Sequence, residues 1–507
     1  MPPRPAPAAT LALYRLLPLI SVVAAASAAS VPSLCDAEAC HCDGATGAVT
    51  CSCAGREQQE LSLGAEDGGF ALPVNTASLH VERCANVTVG AGAVSQQGRL
   101  RLVHVAHVAQ LRLRTAAFGR DAATLETYGA LPPLAINIER SNVTSIESFA
   151  FRDRIEDILL HALHIEYIAP FSFASLGEMD RLEIINCTID KIEGQAFKRF
   201  SVDTFIIAGG SINGEVHSRT LSDVTVMREM HIDGLTMEEV RSRAFEIEGP
   251  QVFTLRACNI NRTHGEAFRV VVRGPVEIRN NYFSVLDSGA FAGLAVDGYS
   301  LRLHNLRRVT FENNTVGVFQ KGSLRFNKTG LDIVLRKIVV NQPCSCSSLE
   351  EWSSYIQKDV QYIQLKGSAS LSTEEILWCI KQEPQNRAIL FRDFQMLQCS
   401  AIPSGLNLFL LIIIPICVLL LVIGICIILM RRKQIKNRKH WVSVPTSNNS
   451  KGGDENKTAK DKSGTPENRL KLVVPDGRTY RETELHVIVE RAEPISDNYL
   501  TPSNDGK

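Results

Sequence analysis

The chain has 507 residues, of which 45% are hydrophobic and 21% charged, so it is long enough for more than one folded module. Its 54 Lys and Arg balance 54 Asp and Glu, and this zero net charge argues against a nucleic-acid-binding protein, which needs a basic surface. Fourteen cysteines are many for a reducing compartment and predict an oxidising one.

Residues 1–29 have the features of a secretory signal peptide. Arg4 and Arg15 precede an apolar stretch that begins at Leu16, and the small residues Ala26-Ser27-Ala28 end it in a sequence typical of a cleavage site. A signal anchor is the alternative, but an anchor needs a longer apolar run. We therefore expect the mature chain to enter the secretory lumen.

Cysteines cluster at the two ends of the region that follows. Six lie between residues 35 and 84, and four lie between residues 344 and 399. This distribution predicts a cysteine-rich module over 30–75 and another over 341–400, on either side of a central region, 76–340. Disulfides are the default chemistry of cysteines in the secretory lumen, and zinc ligation is the competing interpretation.

The central region contains a repeat. Ten short segments begin with an apolar residue and have another apolar residue two positions later, which is the period of a half-buried strand. Fifteen residues after each start, seven of the ten units have phenylalanine, and Thr220 is the one polar residue at this position. An antiparallel sandwich, the alternative fold, would not keep this fixed offset. The segments start at Leu79, Val103, Ile136, Ile158, Leu182, Phe205, Met230, Phe253, Val276 and Val309.

The pattern Leu-x-Leu-x-x-(Asn or Cys)-x-Leu with a later phenylalanine resembles the leucine-rich repeat. The resemblance implies an α/β-type leucine-rich repeat solenoid of about ten divergent repeats, with short parallel strands and irregular or short helical returns. One departure is the buried position five residues after each start, where only Asn281 and Asn314 are asparagine. Because this side chain normally satisfies backbone groups of the turn, its loss predicts irregular turns.

Solenoids of this type bind partners on a broad concave sheet, and we expect a face of mixed charge, which suits a protein partner. Its expected outward residues are Asn137, Glu139, Arg140, His161, His164, Glu183, His231, Asp233, Arg256, Glu277, Arg279 and Tyr282.

The cysteine clusters resemble the flanks that cap extracellular leucine-rich repeat proteins. At the N-terminal flank the resemblance implies the disulfides Cys35 with Cys42 and Cys40 with Cys51. At the C-terminal flank it implies Cys344 with Cys379 and Cys346 with Cys399. Cys53 and Cys84 are left over, and whether they pair stays open. Cys187 and Cys258 lie five residues after a repeat start and are expected to be buried small residues rather than reactive thiols.

A membrane span follows a short juxtamembrane segment, 401–407. Residues 408–430 carry no charge and are rich in Leu and Ile, and as a helix they are long enough to cross a bilayer, with Pro415 tolerated inside it. A cluster of Lys and Arg begins at Arg431, so the positive-inside rule predicts a cytoplasmic tail over 431–507. We therefore expect a single-pass type I plasma-membrane protein with its N-terminus outside the cell.

Two kinds of modification site are expected. Six sequons for N-glycosylation precede the membrane span, at Asn86, Asn142, Asn186, Asn261, Asn313 and Asn327. Three of these, Asn142, Asn186 and Asn313, are expected at or near the concave face, where glycans would direct binding to an edge or to the convex side. In the tail, Tyr499-Leu500-Thr501-Pro502 resembles a tyrosine phosphorylation site that Src-homology-2 adaptors read.

The sequence does not predict an enzyme, because it contains no zinc-protease, Walker, nucleophile-elbow or calcium-loop motif, and no cofactor is expected. The predicted function is binding of an extracellular protein, either a ligand or a homophilic partner, as an adhesion molecule or a receptor. The alternative is a signalling subunit or co-receptor whose tail recruits a cytosolic adaptor.

Overall fold

The computed structural model describes residues 31–55, 60–64, 68–120, 131–303, 305–359, 376–382, 387–399 and 404–438. The predicted signal peptide and the tail from residue 439 onward, which includes Tyr499, lie outside the described residues. Two compact units make up the chain, Met1–Phe409 and Leu410–Lys507.

The first unit is a parallel β-solenoid of about eleven turns, flanked by disulfide-bonded caps. Most turns place one strand on each of three faces. The first face contains the predicted repeat starts, and its strands pair in register, for example Ile136 with Ile158 and Ile158 with Leu182. Its strands are Ala48–Ser52, Ser78–Glu82, Leu102–Ala106, Ala135–Glu139, Asp157–His161, Glu178–Ile185, Val252–Arg256 and Val276–Arg279, with parts of Phe197–Ala208, Leu221–Asp233, Arg307–Val318 and Leu331–Pro343.

The second face follows the first after a short corner and is also a parallel sheet. Its strands are Glu60–Leu63, Asn86–Val89, Gln110–Leu113, Asn142–Ile146, His164–Ile168, Thr188–Ile192, Ser211–Val216, Thr236–Val240, Asn259–Thr263 and Tyr282–Leu286, continued by parts of Arg307–Val318 and Leu331–Pro343 and by Leu377–Lys381. We call the turn between the first and second faces the first corner, and the turn that follows the second face the second corner.

The third face shows that most return segments are strands, whereas the resemblance implied irregular or short helical returns. Phe200, Val202, Val224 and Val226 are buried at every second position, and such alternating aromatic and β-branched residues favour a pleated strand. The strands are Phe151–Asp153, Phe173–Leu176, Phe245–Glu248, Phe268–Val272 and Ala295–Val296, with the first halves of Phe197–Ala208 and Leu221–Asp233. The turn that leads back to the first face is the third corner.

A column of phenylalanines runs through the core between these faces. All seven rings predicted from the repeat are buried, and neighbouring rings stack with centroids 5.2 Å apart for Phe118 and Phe151, 4.6 Å for Phe151 and Phe173, and 4.5 Å for Phe173 and Phe197. A second stack continues from Phe245 through Phe268 to Phe291. The continuous buried column explains why no single repeat could fold alone.

Thr220, the polar exception in the sequence pattern, does not occupy this column. The pairing of Ser211–Val216 with the next turn shifts between Ile212 and Glu215, which adds one residue to the turn. As a result Leu221 is the residue in register with both Phe197 and Phe245. Thr220 lies beside it, and its Oγ1 donates to the carbonyl of His217 at 2.8 Å.

The first corners are regular, which corrects the expectation of irregular turns. Each of them has a residue with positive φ, and Arg140, Ala162 and Asn186 are examples. Their amides donate to the next turn, with Arg140 N to His161 O at 3.0 Å and Ala162 N to Ile185 O at 2.9 Å. The corner backbone is therefore satisfied by the neighbouring turn, so the asparagine side chain is not needed in most repeats.

Where asparagine is present, it does form a short buried ladder. Asn281 Oδ1 accepts from Cys258 N at 2.9 Å, and Asn314 Oδ1 accepts from Asn281 N at 2.9 Å. Cys187 and Cys258 occupy the same position in their turns and are buried free thiols, as expected. Burial raises the pKa of each thiol to about 11, so both stay protonated at neutral pH and are poor nucleophiles.

The caps close both ends of the core with disulfides. At the N-terminal end, Cys40–Asp43 pairs antiparallel with Ala48–Ser52 after the short 3₁₀ helix Leu34–Asp36. The bonds are Cys35–Cys42 and Cys40–Cys51, the pairing that the resemblance implies, and Cys53 is bonded to Cys84. These five cap residues and Cys84 leave no cysteine of this cluster available for a metal.

The C-terminal cap combines helices and strands. It contains the helices Cys346–Asp359 and Phe391–Phe394, the π-helical turn Gln395–Cys399, and the antiparallel strands Leu377–Lys381 and Arg387–Leu390. Its bonds are Cys344–Cys379 and Cys346–Cys399, again the pairing that the resemblance implies. Trp352 is buried in this cap and packs edge-on against Phe391.

Most of an apolar helix belongs to the second unit. The helix Ser404–Arg438 includes Pro415 and has a 23-residue stretch, Ile412–Gln434, that is long and apolar enough to cross a membrane. This stretch overlaps most of the predicted span, 408–430. The helix is therefore a candidate transmembrane segment.

Candidate partner-binding surfaces

The first face presents most of the outward residues that the sequence predicted. Asn137, Glu139, His161, Glu183, His231, Asp233, Arg256, Glu277 and Arg279 lie on its strands at positions that alternate with the buried core. Arg140 lies at the first corner, and His164 and Tyr282 lie on the second face. The expected single surface is therefore divided over two faces, because the first corner bends the chain between them.

Ion pairs cross the turns at the edge of the first face. Arg256 donates to Asp233 through its Nε at 3.2 Å and its Nη2 at 2.5 Å, and in the next turns Arg279 lies 3.7 Å from Glu312. These side chains are partly exposed, so each pair contributes little to stability. Their effect is to fix charged groups of both signs in rows on the surface.

A longer row of charges runs along the second corner. Glu193, His217, Glu215, Arg241, Glu239, His264 and Asp287 follow one another, with His264 2.7 Å from Glu239 and 3.2 Å from Asp287. The hydrogen bond from the Arg241 guanidinium lowers the pKa of the Glu215 carboxyl. Repeat spacing brings these groups together from five consecutive turns, and no local motif in the sequence indicates this.

Two histidines are close neighbours at the N-terminal end of the first face. His80 pairs with His104 in the register of adjacent strands, and their ring centroids are 5.8 Å apart. Burial, and then the charge of His104, lower the pKa of His80. Protonation of His80 at acidic pH is therefore opposed at this site.

The six sequons are unevenly distributed over the solenoid. Asn186 and Asn313 have positive φ at the first corner, and Asn86, Asn142 and Asn261 lie on strands of the second face. The side chain of Asn142 is engaged, since it donates to Glu166 at 3.2 Å and lies 2.9 Å from His164 Nδ1. Five of the six sites thus belong to the first corner and second face, while Asn327 lines a groove at the second corner.

That groove has a volume of about 1400 Å³ and is largely basic. Arg219, Arg243, Lys321, Arg325 and Lys328 line it, and Glu266 is its one lining carboxylate. Two of its arginines have carboxylate partners: Arg219 lies 3.6 Å from Glu246, which also pairs with Arg269, and Arg243 lies 3.3 Å from Glu266. A glycan on Asn327 would share this space.

The described residues do not include a group of three or more His, Cys, Asp or Glu side chains that could hold a metal ion. A scan of the chain against models of known protein families finds no match, and a search of curated proteins finds no similar sequence. The function of the chain is therefore inferred from its fold and from the chemistry of these surfaces.

Sequence reasoning missed two features of this surface. The first is the set of charge rows, which depend on a register that is visible only after the turns are aligned. The second is a small insertion that projects from the third corner between Ala295–Val296 and Arg307–Val318 and contains the helix Gly298–Arg302. The sequence does indicate this insertion, because the starts at Val276 and Val309 are separated by 33 residues.

Proposed function

We propose that this chain is a single-pass type I plasma-membrane protein of the leucine-rich repeat type. Its ectodomain binds another protein outside the cell, as an adhesion molecule or a ligand-binding receptor. The observation that carries the proposal is a solenoid with both ends closed by disulfides, followed in the chain by one apolar helix. Disulfides of this density are stable outside the cytosol, and solenoids characteristically bind macromolecules on extended surfaces.

The surfaces support a protein partner. The first face and the row from Glu193 to Asp287 on the second corner carry both charges rather than one sign, so these two surfaces favour complementary polar contacts over a polyanion. The basic groove of the second corner is the exception. Glycans at five sequons would cover the first corner and the second face, whereas the strands of the third face contain no sequon.

Topology and adhesion are tested together on cells. The full chain with one epitope after the signal peptide and another at the C-terminus is expressed on cells that do not adhere to each other. Antibody access to the first epitope alone on intact cells supports type I topology, and the reverse contradicts it. Aggregation of the expressing cells, or their binding to another cell type, supports the binding function.

The alternative function, a signalling subunit or co-receptor, depends on the tail motif around Tyr499. A phosphate there adds about −1.5 to −2 charges and can dock into an arginine pocket of an adaptor. Phosphotyrosine that appears on the wild-type chain after phosphatase inhibition and disappears in Tyr499→Phe would favour this function. An unchanged signal in the variant would remove it.

A further inference from the structure

The basic groove at the second corner, which we call the cationic groove, follows a ladder of main-chain hydrogen bonds. Arg219 and Arg243 have positive φ there, and Arg219 N donates to Arg243 O at 2.7 Å. The ladder continues from Arg243 N to Glu266 O at 2.9 Å and from Glu266 N to Gly289 O at 2.8 Å. Gly289 N then donates to Gly322 O at 2.8 Å. Five successive turns are therefore fixed at the strand spacing of about 4.8 Å, which gives the groove a length of roughly 20 Å.

Two glycines at the C-terminal end of this ladder keep the groove open. Gly289 and Gly322 have φ of 73° and 87°, a region that favours glycine. A Cβ atom at Gly322 would overlap Ser288 Oγ, so a larger residue fits there only if Ser288 moves. The space that side chains would fill at these two positions is therefore available to a ligand.

The side chains of the cationic groove carry a large excess of positive charge. Five lining residues are basic and one is acidic, which leaves a net charge of +4; they are Arg219, Arg243, Lys321, Arg325, Lys328 and Glu266. Glu246, outside the lining, is shared between Arg219 at 3.6 Å and Arg269 at 3.2 Å, so this outer pair of charges does not change the total. Lys321 and Arg325 are exposed and form no ion pair with any residue that the structure describes.

This excess is local, because the chain as a whole has no net charge. The adjoining row from Glu193 to Asp287 on the same corner carries carboxylates next to its cations, as in the pair of Arg241 with Glu215. A groove of one sign in a neutral molecule concentrates the electrostatic potential and attracts ligands of the opposite sign. The cationic groove is therefore a candidate anion-binding site.

The neutral lining shows what kind of anion fits the groove. Its residues are small and mostly polar, and include Ser218, Ser242, Gly265, Ser288 and Ala292. Phe326 is the one aromatic residue in the lining, but its ring is buried and stacks on Phe291 at 5.8 Å. The lining, all of it within the described residues, thus offers no apolar pocket for the anchoring side chain on which protein binding usually depends. Hydroxyls and cations instead suit a ligand whose own surface consists of hydroxyl and acidic groups.

The arrangement of the cations favours a long anion over a small one. Lys321 precedes Gly322, which lies four ladder steps from Arg219, so the two cations stand at opposite ends of the groove. A single phosphate or sulfate reaches one end only, whereas a linear chain laid along the ladder reaches both. Guanidinium groups such as those of Arg219 and Arg243 bind oxoanions through paired N–H donors, which suits sulfate or carboxylate groups along such a chain.

We propose that the cationic groove binds a sulfated glycosaminoglycan, the linear anionic polysaccharide that proteoglycans carry outside cells. Its sulfates and carboxylates pair with the cations of the ladder and of residues 321–328, and its hydroxyls contact the serines. The inference rests on the extracellular placement in the proposed function, but it uses a different surface from those proposed for a protein partner. Such binding would hold the ectodomain in the proteoglycan layer around a cell.

The sequon at Asn327 controls access to this site. Asn327 lines the groove, and its Oδ1 accepts from Thr329 N at 3.1 Å, while a glycan would be attached to its Nδ2. A glycan there would occupy part of the volume of about 1400 Å³. Thr329→Ala removes the sequon but keeps the main-chain donor and every cation of the groove. We therefore expect Thr329→Ala to raise the affinity for the polysaccharide.

The test uses the full-length chain with an epitope after the signal peptide, expressed on cells that make no glycosaminoglycan of their own. The probe is a fluorescent heparin oligosaccharide, and its binding is normalised to the surface epitope. The groove variant, Lys321→Gln with Arg325→Gln, should lower the apparent affinity by about two- to thirty-fold, because two exposed ion pairs with the probe are lost. The logarithm of the wild-type affinity should fall linearly with the logarithm of the salt concentration, and the slope should be shallower by roughly 1.5 in the variant. If this variant does not reach the surface, Lys328→Gln replaces it and keeps the sequon.

Lys191→Gln with Arg308→Gln is the matched control. It also removes one lysine and one arginine, and both side chains are well exposed outside the groove. This control should bind the heparin oligosaccharide as wild type does. An unsulfated polysaccharide of the same length should bind wild type more weakly than the heparin oligosaccharide, because it offers fewer charges to the same cations.

Several results would overturn the inference. A groove variant that binds like wild type, or a control that loses as much binding as the groove variant, would show that the probe does not use this groove. Polyglutamate of equal charge that binds as tightly as the heparin oligosaccharide would assign the groove to an acidic protein segment instead. Binding by Thr329→Ala alone would support the groove as the site, with the glycan as its cover.

Failure of this inference is distinguishable from failure of the proposed function. If wild type and Thr329→Ala both fail to bind although the epitope is accessible on intact cells, the polysaccharide site is wrong and the proposed function stands. If the epitope is not accessible on intact cells, the extracellular placement itself is wrong.

Discussion

The phenylalanine column allows a direct measurement of ring stacking inside one solenoid. Phe173 is fully buried and stacks on two rings, Phe151 at 4.6 Å and Phe197 at 4.5 Å. Phe118 is equally buried but stacks on Phe151 alone among the described rings, at 5.2 Å. Replacing either with leucine keeps an apolar side chain in place while removing one ring, so the two variants differ mainly in the number of stacked pairs lost.

An aromatic pair contributes about 0.5–1.5 kcal/mol beyond its buried area. Phe173→Leu should therefore lower the local free energy of opening by about 0.5–1.5 kcal/mol more than Phe118→Leu does. Since 1.4 kcal/mol is a factor of ten, this difference corresponds to roughly a two- to thirteen-fold greater loss of amide protection. Hydrogen exchange is measured on peptides covering Phe173–Leu176 and residues 114–120, in each variant and in wild type. The comparison gives the loss of amide protection caused by each substitution.

Met230→Leu is the control, because Met230 is buried without belonging to the column, and a volume-conserving aliphatic change should cost less than about 1.5 kcal/mol. If Phe118→Leu costs as much as Phe173→Leu, the rings contribute through burial alone and the reasoning from stacking is wrong.

Three other outcomes are expected. Cys346→Ser should abolish delivery of mature glycoprotein to the cell surface, because loss of the Cys346–Cys399 bond costs about 2–5 kcal/mol in a small cap; normal surface amounts would contradict this. Asn314→Ala should lower stability by about 1–3 kcal/mol, since the buried Asn281 amide loses its acceptor, and an unchanged denaturation midpoint would contradict it. Because the pKa of His80 is lowered in the folded chain, the unfolded chain binds more protons as pH falls below 6.5; the thermal midpoint should drop between pH 7.4 and 5.5, and by less in His104→Gln.

The sequence predicted the features that repeat. The apolar starts, the phenylalanine position and the apolar helix each leave a periodic or continuous signal, and the structure confirms parallel strands in the predicted register and a buried column. The third face escaped prediction because its alternating residues, such as those of Phe197–Ala208, begin at the phenylalanine and run into the next repeat without a break. Thr220 looked like an exception only because a one-residue bulge displaces the pattern, and bulges leave no fixed signature in a single sequence.

The surface contacts were harder to predict from the sequence than the core was, for a physical reason. Core positions are restricted by packing, whereas an outward residue such as His264 has its neighbours in the preceding and following turns, more than twenty positions away. The partners of His264 can be identified only after the turns are aligned with one another. The assignment of His164 and Tyr282 to the same face as Asn137 was wrong for this reason, because the position of the first corner separates them.

The bulge at Ser211–Val216 places Leu221 where a ring would otherwise stand, so the middle of the solenoid depends more on backbone pairing than on aromatic stacking. Where Leu221 interrupts the rings, the chain has two of its longest strands, Phe197–Ala208 and Leu221–Asp233, and their backbones pair from Phe197 with Leu221 to Ala208 with Asp233. Main-chain hydrogen bonds thus connect the two aromatic stacks, and these bonds do not depend on the identity of the side chains. We expect natural variation to accumulate at outward positions of these strands, while proline at a paired residue such as Ser201 would be excluded, since it would remove a donor from this ladder.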